Sequence, residues 1–446
     1  MLFVLGEYRI TGRRAAEIAD SVERGVGSGA LPPGHTLPAL RDLAGRLGVN
    51  PNTVAAAYRT LRERGIVETA GRRGTRVRSR PASAPRQAMR SDVPHGARDL
   101  ANGNPDPALL PPLDAALAEA AAHYARRPTL YGDPAVDEEL ATQARSAFDA
   151  DGVPGGPVAV TSGSLDAVER VLAAHLRPGD AVAVEDPGWA GILDLAPALG
   201  LRMVPVRVDD EGPVPGDVEQ ALVRGARALA VTSRAQNPTG AAVGPARARA
   251  LRGLLAAHPD TLLIEDDHGH GIVDAPFHTL AGTTARWAVL RSSAKSHGPD
   301  LRVAVVTGDA LTLDRLRGRQ ALGPGWVSLL LQRAVAHLWR EHAVDPRTVA
   351  GSYGRRRTGL LAELTRRGVT CHGKSGMNVW VPVPDETAAV AALQRAGWAV
   401  APGARFRVAT PPAIRVTVSG IDVGELPTLA DAVATALRPA EARRFG

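Results

Sequence analysis

Between residues 158 and 291 the chain alternates short apolar runs with helical stretches, and that alternation leaves few folds open. Val158–Val160, Ala181–Val184, Ala228–Thr232, Leu262–Glu265 and Trp287–Arg291 are apolar and bounded by Gly, Pro or polar clusters, the pattern of buried strands. Leu165–His175 and Gly244–Ala257, lying between them, carry helical spacing. Strands that alternate with helices build an α/β domain around a central, mostly parallel sheet. Ligands of such sheets sit beyond the carboxyl ends of the strands. The polar residues of this chain cluster at those ends.

One of them is a lysine in a chain that has almost none. Lys295 and Lys374 are the only two among 53 basic residues. Where arginine has replaced lysine nearly everywhere, a remaining lysine marks a task that guanidinium cannot perform, such as forming a Schiff base through an amine able to lose its proton. Ser292 precedes Lys295 by three residues and Arg302 follows by seven, a hydroxyl and a fixed cation that suit a phosphorylated aldehyde. Four other strand ends fit the same ligand. Thr161-Ser162-Gly163-Ser164 opens a helix whose free N–H groups can hold a phosphate. Trp189, in Asp186-Pro187-Gly188-Trp189, can stack on a pyridine ring, and Asn237, in Asn237-Pro238-Thr239-Gly240, can reach a ring hydroxyl. Asp266, within Glu265-Asp266-Asp267-His268, can keep a pyridine nitrogen protonated. Taken singly, each has a plainer reading: a surviving surface lysine, a helix start that binds nothing, a core tryptophan, an Asn-Pro turn. Asp267 and His270 read as structural.

Ser292-x-x-Lys295 followed by Leu301-Arg302 resembles the lysine segment of fold-type I pyridoxal-phosphate enzymes. The order of the five stretches resembles the class I/II aminotransferases from Asp99 to about Ala436. That resemblance implies pyridoxal 5′-phosphate as cofactor, held by Lys295 as an internal Schiff base. It places the phosphate on Gly163, Ser164, Ser292 and Arg302, the ring against Trp189, and the ring's polar atoms on Asn237 and Asp266. Tyr131, in Tyr-Gly-Asp-Pro, matches a tyrosine that reaches the partner subunit's phosphate, which implies a head-to-tail homodimer. Arg415, in Ala-Ile-Arg-Val-Thr-Val, matches the arginine that grips a substrate carboxylate, and Gly103 lies in the loop near that substrate. His268 stands where most relatives have a tyrosine that contacts the cofactor hydroxyl, and is expected to make a similar contact.

The excess charge lies elsewhere. Residues 1–80 hold 14 arginines against 7 acidic residues, whereas the remainder is balanced at 39 and 39. A basic head on a neutral body points to nucleic acid. Ala15, Ile18, Ala19, Val22 and Val26 fall at helical spacing, as do Leu40, Leu43, Ala44 and Leu47, and then Val54, Ala57, Tyr58 and Leu61. Asn50 followed by Pro51 suits the start of the third helix. Two extended pieces surround Gly71-Arg72-Arg73-Gly74. Two helices joined by a tight turn and followed by a basic hairpin make a winged helix-turn-helix.

The run from Leu31 to Val77 resembles the GntR family of bacterial regulators, and by that resemblance Arg41, Asn50, Asn52, Thr53 and Gly74 contact DNA, with Arg72 and Arg73 on phosphates. Pro51 and Ala55 replace two arginines of the family's reading helix, which shifts affinity toward phosphate contacts. The domains expected are the head at 1–78, a Pro/Ala/Ser/Arg-rich tether at 79–97 and the aminotransferase-like body at 98–446, with a small subdomain from about 346. A GntR head on an aminotransferase body resembles the MocR regulators, and several motifs resemble the branch linked to vitamin B6 salvage. The implied function is a transcription regulator that senses pyridoxal phosphate or an amine and binds a double-stranded operator. The alternative is a working aminotransferase that carries a DNA-binding head. The single cysteine, Cys371, offers neither a disulfide nor a zinc spacing, so no metal is expected. No apolar run spans a membrane, the opening MLFVLGEYR lacks the form of a signal peptide, and a cytoplasmic location is the expectation.

Overall fold

The computed structural model describes residues 8–27, 30–32, 34–63, 66–69, 74–77, 93 and 95–438. The chain divides into two compact units, one holding the N-terminal helices and hairpin, the other most of the residues beyond 97.

In the head, α1 (Ala15–Gly27), α2 (Leu40–Leu47) and α3 (Pro51–Glu63) precede a hairpin of β1 (Val67–Thr69) and β2 (Thr75–Val77). The apolar stripes turn inward: Ile18, Val22, Leu43, Val54, Tyr58 and Leu61 are buried together with Val67 and Val77. α2 stops at Gly48, whose φ of +63° lets its N–H turn back onto the helix carbonyls. Asn50 Oδ1 then accepts the Asn52 N–H at 2.8 Å and starts α3. β1 and β2 are antiparallel with Val67 opposite Val77. Residues 34–37 also hydrogen-bond to β2, through Leu37 N–H to Thr75 O and Val77 N–H to His35 O.

The body begins with β3 (Arg98–Leu100), α4 (Asp114–Arg126) and α5 (Glu138–Ala150). Its central region runs β4 (Val158–Thr161), α6 (Ser164–His175), β5 (Ala181–Asp186), α7 (Ala190–Ala198), β6 (Arg202–Asp209), β7 (Gly212–Pro213), α8 (Pro215–Val223) and β8 (Ala226–Thr232). It continues with α9 (Pro245–Ala256), β9 (Leu262–Asp266), β10 (Arg286–Ser292), β11 (Ala304–Gly308), α10 (Ala310–Ala321) and α11 (Leu329–Arg340). One sheet takes β4 to β11 in the order β4-β11-β10-β9-β8-β5-β6-β7. Its centre is parallel, since β5 pairs with β8, β8 with β9 and β9 with β10. β11 runs antiparallel to both neighbours. β5 and β9 are buried along their whole length and β8 and β10 beyond their first two residues, which is why they read as continuous apolar runs.

The rest forms a smaller layer: α12 (Pro346–Arg366), β12 (Asn378–Pro382), α13 (Glu386–Arg395), β13 (Trp398–Pro402), β14 (Ala413–Thr417) and α14 (Leu426–Ala436). Its sheet has the order β12-β14-β13-β3. The fourth strand comes from the start of the body, with Arg98–Leu100 lying parallel to Trp398–Val400. The residues just after β3 therefore belong to the small layer although they stand far from it in sequence. No described helix is long and apolar enough to cross a membrane.

Candidate functional site

The ends of β4, β5, β8, β9 and β10 bring the expected residues to one edge of the central sheet. Lys295 lies in the turn after β10 and is half-buried. Burial, together with the Arg415 charge, lowers its ammonium from the usual range to about 8. Its Nζ donates to the Gly103 carbonyl at 2.5 Å. Arg415, on β14, is buried; its Nη1 donates to Asn237 Oδ1 at 2.9 Å and its Nη2 to the Ala101 carbonyl at 2.5 Å. Burial and the nearby Arg405 pull Arg415 down to about 9. Its Nε is buried with no hydrogen-bond partner among the described residues, an unmet polar demand. Gly103 has φ of +63°, and a Cβ there would come within 3.1 Å of the Arg415 guanidinium, so the segment approaches these cations only as glycine.

The end expected to take a phosphate is formed by α6 and Arg302. Among the described residues no side chain caps α6 at its N-cap, Gly163, so the first N–H groups and the positive end of the helix dipole suit an anion. Arg302 adopts a left-handed φ of +50° and donates from Nη2 to Ser162 O at 2.7 Å. Gly163 has φ of +92°, and a Cβ on it would lie 2.5 Å from Arg302 Nη2. The helix end and the guanidinium thus meet across a space that a methyl group would fill. Ser292 Oγ accepts the Ala294 N–H at 3.2 Å. Gly163→Ala is expected to displace Arg302 and to weaken pyridoxal-phosphate binding by about tenfold or more. Titration of the visible absorbance measures this, and an unchanged affinity would mean that the phosphate sits elsewhere.

Asp266 stands at the end expected to take the ring. Its Oδ1 faces Ser164 Oγ at 3.3 Å and its Oδ2 faces His268 Nδ1 at 3.1 Å. His268 was expected to contact the cofactor hydroxyl; here its other nitrogen, Nε2, lies 2.9 Å from the Ala235 carbonyl. Both ring nitrogens are therefore engaged by the protein. Trp189 is half-buried beside Gly191 and Leu165, where α6 and α7 start. Asp186, at the root of the same loop, accepts the N–H groups of Val408, Ala409 and Thr410 at 2.7 to 3.0 Å, tying this loop to the one before β14. Tyr131 does not join the pocket. It is 94% exposed and meets Trp326 edge-on at 5.7 Å.

Among the expected DNA contacts, Arg41, Asn50, Asn52 and Gly74 are exposed and Thr53 is half-buried. Arg72 and Arg73 lie outside the described residues, as does most of the 79–97 tether.

A buried ionic group beneath Asp266 carried no motif. Asp267 binds Arg234 through two hydrogen bonds, at 2.9 and 2.8 Å, and Arg291 at 2.9 Å. Arg291 also binds Asp151. His270 lies in the same group, and burial, with Arg291 nearby, drops it to about 3, so it is neutral. Both carboxylates are answered by guanidinium, which leaves the group balanced without a metal ion. The signal available in the sequence was two arginines at the ends of apolar strands, where a charge needs a buried partner.

Comparison with known proteins identifies the families of both parts of the chain. Residues 98–433 match the model of the aminotransferase class I and II family, and residues 14–77 that of the bacterial regulatory proteins of the gntR family. The vitamin B6 salvage pathway transcriptional repressor PtsJ of Salmonella typhimurium is 40% identical over 435 residues, covering 96% of this chain and 99% of that protein. The pyridoxine biosynthesis transcriptional regulator PdxR of Corynebacterium glutamicum is 30% identical over 260 residues, 56% of this chain and 55% of that one. A single mutant of Thermus thermophilus aspartate aminotransferase superposes with a TM-score of 0.67 at 25% identity, covering 77% of this chain and 92% of that one.

Proposed function

This chain belongs to the class I and II aminotransferase family and carries a gntR-family domain ahead of it, the MocR-type architecture; we propose that it regulates transcription by binding duplex DNA with the head and pyridoxal 5′-phosphate with the body. The observation that carries the reading is the half-buried Lys295, its amine lowered to about 8, at a strand end shared with an uncapped helix end, Arg302 and Asp266. Bound there, the cofactor supplies an aldehyde carbon and a ring that withdraws electrons. Lys295 presents the nucleophilic nitrogen. Gly163, Ser164, Ser292 and Arg302 hold the phosphate, Asp266 keeps a proton at the ring nitrogen, Asn237 faces the ring hydroxyl and Trp189 covers the ring. Arg415 receives the carboxylate of an amine effector through its fork.

The same cations give the ligand a route to the head. Lys295 and Arg415 donate to the carbonyls of Gly103 and Ala101, just beyond β3, the first strand after the tether. A ligand that takes either cation competes with these carbonyls and loosens the root of the tether. Such competition shifts DNA affinity if the two arrangements of the head bind DNA unequally. The strongly exposed Tyr131 supports a homodimer in which it serves the second copy's phosphate. The extent of similarity to the Salmonella repressor supports vitamin B6 salvage genes as the target.

The test is a titration of the purified protein with pyridoxal phosphate, read by visible absorbance and followed by amino acids. Stoichiometric binding with no steady release of keto acid is expected. Sustained keto-acid release would assign the body to catalysis, and no binding at all would end the cofactor reading.

A further inference from the structure

Resting on the cofactor reading above, we propose that His268 is a doubly protonated bridge that positions Asp266 for the cofactor's ring nitrogen, and that it does not serve the ring hydroxyl. The argument starts from its partners. Nε2 faces the Ala235 carbonyl at 2.9 Å, and a carbonyl only accepts, so Nε2 carries a proton. Nδ1 faces the Asp266 carboxylate at 3.1 Å, and a carboxylate also only accepts, so Nδ1 carries a proton as well. With both nitrogens protonated the ring is an imidazolium paired with Asp266. Burial opposes this charge, and so does Lys295, but the Asp266 carboxylate and the Ala235 carbonyl outweigh them and hold the imidazole above its ordinary value.

Ala235 is built for the task. It holds a left-handed φ of +54°, costly for a residue with a side chain. Ser375 Oγ fixes its N–H at 2.9 Å, and Gly376 packs so closely that a Cβ there would lie 2.5 Å from the Ala235 Cβ. This conformation aims the Ala235 carbonyl at His268. Asn237 is two residues further along the same loop. The imidazolium therefore ties the loop bearing Asn237 to the strand end bearing Asp266, and fixes the spacing of the two groups expected on the ring's polar atoms. A tyrosine at 268 offers one donor and no charge, so it cannot bridge these two acceptors.

Three measurements test the bridge. First, ring-nitrogen NMR of the wild type labelled at histidine, without cofactor, is expected to show both His268 nitrogens protonated near neutrality; a neutral tautomer would overturn the proposal. Second, His268→Phe is expected to weaken pyridoxal-phosphate binding roughly tenfold to a hundredfold and to move the bound cofactor's absorption maximum. Third, the same change made on Asp266→Asn is expected to have little further effect, because His268 acts through Asp266. Additive losses in that cycle, or an unmoved band in His268→Phe, would contradict the bridge. His268→Gln, which keeps one donor, should fall between wild type and His268→Phe, and identical losses in the two variants would mark a packing role. If the wild type itself binds no cofactor, it is the cofactor reading that fails, and the NMR result still decides the bridge.

Discussion

Lys295→Ala is expected to abolish covalent capture of pyridoxal phosphate. Borohydride reduction followed by mass analysis should add one phosphopyridoxyl group, the cofactor less one oxygen, to the wild type and none to the variant, because the chain's other lysine, Lys374, is ion-paired with Glu211. The reaction should also follow pH in a set direction. Burial and the Arg415 charge hold the Lys295 ammonium near 8, so its nucleophilic neutral form grows as pH rises through that value. Capture should therefore be roughly twentyfold faster at pH 8.5 than at pH 6.5 when pyridoxal phosphate is below saturation. A variant that captures cofactor as well as the wild type would move the site away from β10.

The second large effect concerns the ionic group beneath the pocket. Asp267→Ala leaves Arg234 and Arg291, both buried and lying over the rings of Phe277 and Phe148, sharing the single negative charge of Asp151. Removing one partner of a buried pair typically costs about 3–5 kcal/mol, much of it from the charge left uncompensated. A loss of that size should appear in the denaturation midpoint of the body. Burial pushes the Asp267 carboxyl up, but the Arg234 and Arg291 charges outweigh it and hold it below the usual range. A carboxyl depressed on folding contributes its stability above the unfolded value of about 3.9 and loses it as pH falls through the folded one. The gap between wild type and variant should thus be level from pH 5 to 8 and narrow only under acid. A variant within about 1 kcal/mol of the wild type would show that water or repacking satisfies the two arginines.

These two predictions differ in how far the sequence announces them. Lys295 stands out because lysine is otherwise almost absent, and Gly163, Asn237 and Asp266 because each follows an apolar run at its own strand end. β4, β5, β8, β9 and β10 are legible for the same reason: strands buried on both faces leave unbroken apolar runs. The small sheet is not legible in that way. β3 is three residues long and only Leu100 is buried, so no period can form, and its partner β13 lies some three hundred residues further on. The contacts of Ala101 and Gly103 are made by backbone carbonyls, which no residue type reports. Asp267 looks like any acidic neighbour of Asp266 until Arg234 and Arg291 are seen on either side of it. For His268 the sequence shows an imidazole in a tyrosine's place, but which atoms its nitrogens face depends on the conformation of Ala235. Tyr131, expected at a phosphate, is exposed within one copy of the chain.

The central claim, that occupancy at Lys295 reaches the DNA-binding head, is tested most directly by DNA affinity with and without pyridoxal phosphate. The wild type and Lys295→Ala would be titrated side by side against a duplex selected from a random pool, at fixed salt because phosphate contacts dominate such binding. The account predicts a change of at least severalfold on adding cofactor to the wild type and none in the variant. An equal change in both proteins, or no change in the wild type, would contradict it.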